Sequence, residues 1–227
     1  MKTRTTLITS LFVTPAALLS TALFAQDLER PNYTFLELDY VYATADVEAD
    51  SLNAQQNADT WNIPESFDLR GSVVVADQLL LRASYYAGEG KWKSTRDVES
   101  SSYVLSAGWL APTNDATGID ISVEYRGDNI KMDGPPTSGV DEDVEGLGLA
   151  FGVRATPFKG GEFGVRVGWY EGDFNGSIGY RINLAYNIVE NFGINAFWER
   201  MDADVNDEPK LTSYELNKFG IGARVYF

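Results

Sequence analysis

The chain of 227 residues contains no cysteine and no histidine. Without cysteine there can be neither a disulfide nor a lipid anchor on a thiol, so packing and hydrogen bonds have to supply stability. Without histidine the side chain that titrates nearest neutral pH is missing as a general base. A Ser-Lys or carboxylate-only site remains as an alternative, although no serine has an evident base beside it. The sequence therefore predicts no enzyme, no catalytic residue and no cofactor.

Basic residues are also scarce. The chain carries 18 Lys and Arg against 33 Asp and Glu, which gives a formal net charge of −15. A protein that binds a phosphate backbone needs a basic face, so this balance excludes nucleic acid as a partner. It suits a surface that is held in water or bathed in cations.

Only one long apolar run is present, and it lies at the start of the chain. Residues Leu7 to Phe24 follow two basic residues and precede Ala25, a pattern typical of a secretory signal peptide. We expect cleavage after Ala25, with Ala22 as the rival site. The predicted organisation is therefore a signal peptide at 1–25 and a single domain at 26–227, since no linker or low-complexity tract interrupts the rest.

Ten segments of the mature chain alternate apolar and polar residues with a period of two, as half-buried strands do. The alternating segments begin at or near Tyr33, Phe67, Leu81, Tyr103, Ile119, Leu147, Phe163, Ile178, Phe192 and Lys218. A tilted strand needs about 9 to 11 residues to cross a bilayer. Only helices and closed barrels satisfy every backbone group in lipid. We therefore predict an all-β fold, a closed antiparallel up-and-down barrel of ten strands, with eight as the alternative count.

The last of these segments, Lys218 to Phe227, is apolar on one face, polar or small on the other, and ends in an aromatic residue. It resembles the C-terminal strand of bacterial outer-membrane β-barrels. An amphipathic edge strand of a soluble sandwich is the alternative. Together with the signal peptide and the alternating strands, it makes the chain similar to the small outer-membrane barrels grouped around the OmpA-like, OmpX-like and opacity-protein folds. No motif identifies a subfamily.

This resemblance implies a location in the outer membrane of a Gram-negative bacterium and a monomeric state. It implies that the barrel-assembly machinery reads the terminal strand through Phe219, Ile221, Val225 and Phe227. The other implied partners are periplasmic chaperones during biogenesis, outer-membrane lipid and lipopolysaccharide. The implied roles are envelope structure, surface adhesion or limited passage of small solutes.

The links between the strands alternate in length. Thr44 to Glu65 and Gly127 to Asp143 are long and polar, whereas Ala76 to Gln78 and Ile188 to Asn191 are short. Long loops outside and tight turns inside are typical of outer-membrane barrels. Two links blur the pattern, a longish turn after the fourth strand and a short loop after the seventh. Aromatic residues near the strand ends are expected to form the interfacial girdles.

The polar faces of the strands carry charges that a barrel would turn inward. Seven acids and eight bases nearly balance, which indicates mutual pairing. The members proposed for this lumen network are Glu37, Asp39, Arg70, Arg82, Glu124, Arg126, Arg154, Arg166, Arg181, Glu199 and Arg224. Asp68, Asp120, Glu162 and Lys218 share the same faces. Eight strands leave an interior just filled by side chains, so ten predict a largely filled lumen. A narrow channel that guides small ions is the alternative.

The predicted outer loops are acidic. They contain Asp46, Glu48, Asp50, Asp59, Asp128, Asp133, Asp141, Glu142, Asp143, Asp202, Asp204, Asp207 and Glu208. Asp202, Asp204 and Asp207 begin like a calcium loop, but Asp207 stands where the turn needs glycine and Ser213 where a bidentate glutamate belongs. We predict weak, shared binding of divalent cations and no defined metal site. The sequence thus favours an outer-membrane barrel that acts through acidic surface loops as a structural or surface-interaction protein.

Overall fold

The computed structural model describes residues 31–49, 60–76, 78–92, 96–114, 116–133, 140–205 and 211–227. The predicted signal peptide and the acids Asp50, Asp59, Asp207 and Glu208 lie outside these ranges. No helix in the described ranges is long and apolar enough to cross a membrane.

Ten antiparallel strands close into one barrel. They are β1 (Phe35–Ala49), β2 (Thr60–Val75), β3 (Leu79–Trp92), β4 (Arg96–Asn114), β5 (Thr117–Met132), β6 (Val140–Phe158), β7 (Gly161–Gly172), β8 (Ser177–Val189), β9 (Phe192–Asp204) and β10 (Leu211–Tyr226). Each strand pairs with its neighbours in the chain, and β1 closes the ring against β10. The prediction of ten strands is confirmed, and the alternative of eight is wrong.

The closure between β1 and β10 fixes both described chain ends at one end of the barrel. Phe35 opposes Tyr226 and Ala43 opposes Lys218 in the register of the two strands. The Phe227 amide donates a hydrogen bond of 3.2 Å to the Thr34 carbonyl. We call this the terminal end of the barrel and the opposite one the distal end.

The turns at the terminal end are tight. Ala76, between β2 and β3, has φ 51°, and Gly160, between β6 and β7, has φ 76°. Glycine reaches such left-handed angles without the Cβ clash that other residues meet. Gly172 and Gly176 bracket the short link between β7 and β8 at the distal end, with φ 100° and 77°.

The strands run further toward the distal end than the alternation predicted. β1 continues to Ala49 and β2 begins at Thr60, so much of the stretch Thr44 to Glu65 is strand rather than the predicted loop. The stretch Gly127 to Asp143 is likewise largely strand, because β5 ends at Met132 and β6 begins at Val140. The predicted loops were too long because these distal stretches still alternate, with the apolar residues now facing inward.

The outer wall carries an apolar band. Large apolar side chains face outward on all ten strands, and Leu149, 58% exposed, is typical of them. Aromatic side chains on this outer wall include Tyr40, Phe67, Tyr85, Trp109, Phe158, Trp169, Tyr186, Phe192, Phe219 and Phe227. An apolar surface that continuous marks an interface with an apolar phase rather than with water.

Candidate functional site

Sixteen charged side chains among the described residues face the interior of the barrel. Eight acids lie there: Glu37, Asp39, Asp68, Asp120, Glu124, Asp128, Glu162 and Glu199. Eight bases lie among them: Arg70, Arg82, Arg126, Arg154, Arg166, Arg181, Lys218 and Arg224. We call these residues the charged layer. It contains every residue proposed for the lumen network, and its acids and bases are equal in number.

One cluster of the charged layer is centred on Glu37. Arg224 Nε donates to Glu37 Oε2 over 2.7 Å, and Arg181 Nη2 donates to Glu37 Oε1 over 2.9 Å. The other arm of Arg181 reaches Glu199 Oε2 at 3.0 Å, and Lys218 Nζ lies 2.6 Å from Glu199 Oε1. Glu37 therefore holds two cations and Glu199 three, because Arg70 Nη2 also donates to Glu199 Oε2 over 3.3 Å. These contacts tie β1, β2, β8, β9 and β10 together across the interior.

A second cluster is centred on Asp120. Arg82 binds both Asp120 oxygens, at 2.7 and 2.9 Å, as a fork that matches the carboxylate plane. Arg166 bridges Asp120 and Glu124 with contacts of 2.5 Å to each. Since Arg166 opposes Arg181 between β7 and β8, the two clusters adjoin each other in the lumen.

Asp128 corrects the sequence-based prediction. It was expected in an outer loop, yet it faces inward on β5 and is buried. Arg126 Nε donates to both of its oxygens at 3.0 Å, and the Tyr214 hydroxyl also donates to it. Residues two apart in a strand face the same side, so Asp128 faces inward as Arg126 does.

Aromatic rings lie against the cations of the charged layer. Arg181 Cζ lies 3.5 Å from the centroid of Phe197, and Lys218 Nζ lies 4.4 Å from that of Tyr86. The Tyr170 hydroxyl donates a hydrogen bond of 2.6 Å to Glu124 Oε2. Rings of this kind accept a cation on their face and an apolar neighbour on the other side.

Toward the distal end the interior of the barrel becomes apolar. We call this region the distal core. Its buried members include Val41, Ala43, Ala45, Val47, Trp61, Ile63, Val98, Ile130, Met132, Val140, Val144, Phe174, Met201, Ala203, Leu211 and Leu216. The sequence reasoning missed it, although Ala45 and Val47 already alternate with Asp46 and Glu48 along β1. That reversed alternation was the available signal.

The described part of the barrel contains a central cavity and a vestibule. A cavity of about 50 Å³ lies within the charged layer, and Arg70, Arg126 and Glu199 are among its lining residues. A vestibule of about 400 Å³ opens at the terminal end, beside Glu162 and Tyr226. Distal-core residues such as Val47 and Trp61 are fully buried and do not line the central cavity.

The proposed cation residues are not gathered into a site. Asp202 and Asp204 face outward near the end of β9, and Asp202 lies 3.7 Å from Arg200 Nη2. Asp207 lies outside the described residues. Among the residues that the structure describes, no group of three or more acidic side chains is placed to hold a metal ion.

No protein-family model matches the chain, and no curated protein sequence matches it significantly. Solved structures of small outer-membrane barrels do resemble it. Neisserial surface protein A has 14% identity and a TM-score of 0.48, covering 85% of this chain and 96% of that one. Ail, the attachment invasion locus protein of Yersinia pestis, has 14% identity and a TM-score of 0.39, covering 88% and 100%. The KdgM porin has 12% identity and a TM-score of 0.41, covering 84% and 99%.

These likenesses identify no subfamily and carry no argument about function at such scores. The closed ten-strand barrel is established by the strand pairing of the chain itself.

Proposed function

We propose that this protein is an outer-membrane β-barrel with a closed lumen, which serves as a structural or surface-interaction protein and not as a channel or an enzyme. The proposal rests on the interior of the barrel. Buried side chains fill it at two levels, with the charged layer at one level and the distal core at the other. A conducting pore would need a continuous water path past both.

The outer wall supports a place in a membrane. All ten strands turn apolar side chains outward, and the ring of pairing leaves no open sheet edge. In lipid an open edge would leave backbone groups without partners, each at a cost of several kcal/mol. The acidic, cysteine-free chain and its signal-like start favour export to the outer membrane of a Gram-negative bacterium, with cleavage after Ala25.

The terminal strand supports assembly by the barrel-assembly machinery. Phe219, Ile221 and Val225 lie on the outside of β10, and the exposed Phe227 directly follows the strand, so an assembly factor or lipid could contact all four from the wall side. The terminal end would face the periplasm, as chain ends do in this class of barrel. The distal end would then face the outside of the cell, where lipopolysaccharide is the neighbouring lipid.

The distal wall would be the interacting surface. Asp46 and Glu48 on β1 and Asp202 and Asp204 on β9 all face outward there, on strands rather than in the predicted loops. Because these strands enclose the distal core, they present their acids on a rigid frame. A rigid acidic surface favours contact with cationic groups or with divalent cations shared with lipid.

Single-channel recording in planar lipid bilayers tests the proposal. The purified, refolded protein should insert without stepwise currents at any salt concentration, whereas an open porin recorded beside it should conduct. Stable, salt-dependent current steps from the wild-type protein would instead support the narrow channel that guides small ions.

A further inference from the structure

The central cavity is lined unevenly by charge. Its six cationic lining residues are Arg70, Arg82, Arg126, Arg166, Arg181 and Lys218. Its acidic lining residues are Asp68, Glu124 and Glu199. Charge is balanced over the whole layer, but the other five acids do not line the cavity. The space itself is therefore surrounded by twice as many cations as anions.

Two of these cations have donors without partners. Arg126 Nη2 and Arg70 Nε are both buried, and neither has a hydrogen-bond partner among the described residues. Arg126 is only 3% exposed, and its Nε is already used by Asp128. Leaving a charged donor buried and unpaired costs more than leaving a neutral one, so such groups normally meet a ligand or ordered water.

The size of the cavity limits what can fill it. A water molecule needs about 10–15 Å³ of such volume, so the roughly 50 Å³ found here has room for a few small particles at most. A monatomic anion with accompanying water fits such a space without displacing the side chains that are already paired.

We propose that the central cavity is a binding site for a small monovalent inorganic anion, chloride in particular, held by Arg126 and Arg70. Coulomb attraction is strong at this depth because little water screens it. Asp68 Oδ1, the remaining unpartnered oxygen of the lining, would accept from the accompanying water. The site does not depend on the distal end being sealed, so it stands apart from the proposed function.

Bromide replaces chloride in such sites and can be located by its anomalous scattering. Crystals of the full mature protein grown in bromide should show an anomalous peak in the central cavity, within hydrogen-bond distance of Arg126 Nη2 and Arg70 Nε. A cavity that contains only water under these conditions would overturn the proposal.

Thermal unfolding in solution provides an independent test with matched variants. Gly179 lines the cavity, and an added Cβ would lie 3.4 Å from Tyr170 Cε2, so Gly179→Ala should fold while reducing the space. Gly71→Ala is the control, because its Cβ would have only Leu36 nearby, at 3.9 Å.

Sodium chloride should raise the unfolding midpoint of the wild type and of Gly71→Ala more than sodium gluconate does at equal ionic strength, since a ligand that binds only the folded state stabilises it. In Gly179→Ala the difference between the two salts should fall to less than half. Equal shifts with chloride and gluconate in the wild type, or an undiminished difference in Gly179→Ala, would contradict the anion site.

Discussion

The strands alternate with a period of two residues at both ends of the barrel, but the apolar face is the outer one near the terminal end and the inner one near the distal end. On β1 near the terminal end, Leu36 and Leu38 face outward and Glu37 faces inward. Further along the same strand, Asp46 faces outward and Val47 faces inward. One strand therefore changes from apolar outside to apolar inside within its own length.

The change has a simple physical cause. Where lipid covers the wall, polar groups are stable only inside, and there they must pair with one another. Where water covers the wall, acids are solvated outside, and the interior is held together by the hydrophobic effect, as in a soluble protein. Alternation along a strand shows only that its two faces differ in polarity. Whether lipid or water surrounds the wall then decides whether the outward or the inward face is apolar.

The largest expected effect comes from breaking a pair in the charged layer. Arg224→Met leaves Glu37 buried with Arg181 as its remaining close partner, so unfolding should become easier by about 3–5 kcal/mol. The control is Arg200→Met near the distal end, where a partly exposed pair with Glu215 should contribute about 1 kcal/mol or less. Urea titrations in lipid vesicles measure both. Equal losses would show that the charged layer is solvated.

The second largest difference should come from a charge added to the outer wall. Such a charge should lower stability in the apolar band but not on the distal wall. Leu149→Arg places a cation in the apolar band and should cost about 2–4 kcal/mol. Asp46→Arg on the distal wall should change stability by less than about 0.5 kcal/mol, as most exposed substitutions do. The same folding titration measures both variants. If both positions tolerated arginine equally, the apolar band would not lie in lipid.

A hydroxyl added to the distal core should have a smaller cost. Val47→Thr keeps the shape of the side chain but buries an oxygen among apolar neighbours, for a loss of about 1–3 kcal/mol. Glu48→Thr, at the adjacent outward position, serves as the control and should be close to neutral. Denaturant midpoints of the two variants measure the difference. A neutral Val47→Thr would indicate that water reaches the distal interior.

Divalent cations should give the smallest effect. Calcium should raise the thermal midpoint gradually, because several outward acids near the distal end share the ions and no described group forms a complete site. Replacing Asp202, Asp204 and Asp207 together with asparagine should reduce this shift without unfolding the barrel. Sodium at equal ionic strength is the control. A single stoichiometric site found by calorimetry would refute the shared model.

Much of the wall could be predicted from the sequence because parity is a local property. The alternation predicted ten strands, and it predicted the inward face of Arg181 and of Arg224 from their immediate neighbours. The pairing of Arg181 with Glu37, 144 residues away, could not be predicted, because it depends on the tilt and register of the whole barrel.

The distal core was missed for a different reason. A small apolar residue such as Ala45, which stands between Thr44 and Asp46, looks like part of a polar loop when only large apolar residues are counted. Phe174 could not have been placed either, since it lies in the turn between β7 and β8 and yet is fully buried in the distal core. Its burial depends on the closed ring of strands around it.

Cysteine labelling tests the central claim, a dry apolar interior at the distal end, most directly. The native chain has no cysteine, so single variants Val47→Cys and Glu48→Cys each carry one thiol at adjacent positions of β1. The protein is reconstituted in vesicles and exposed to a membrane-impermeant maleimide. Glu48→Cys should react rapidly, whereas Val47→Cys should react only after unfolding in denaturant. Equally rapid reaction at both positions would mean that water fills the distal lumen, and it would contradict the account.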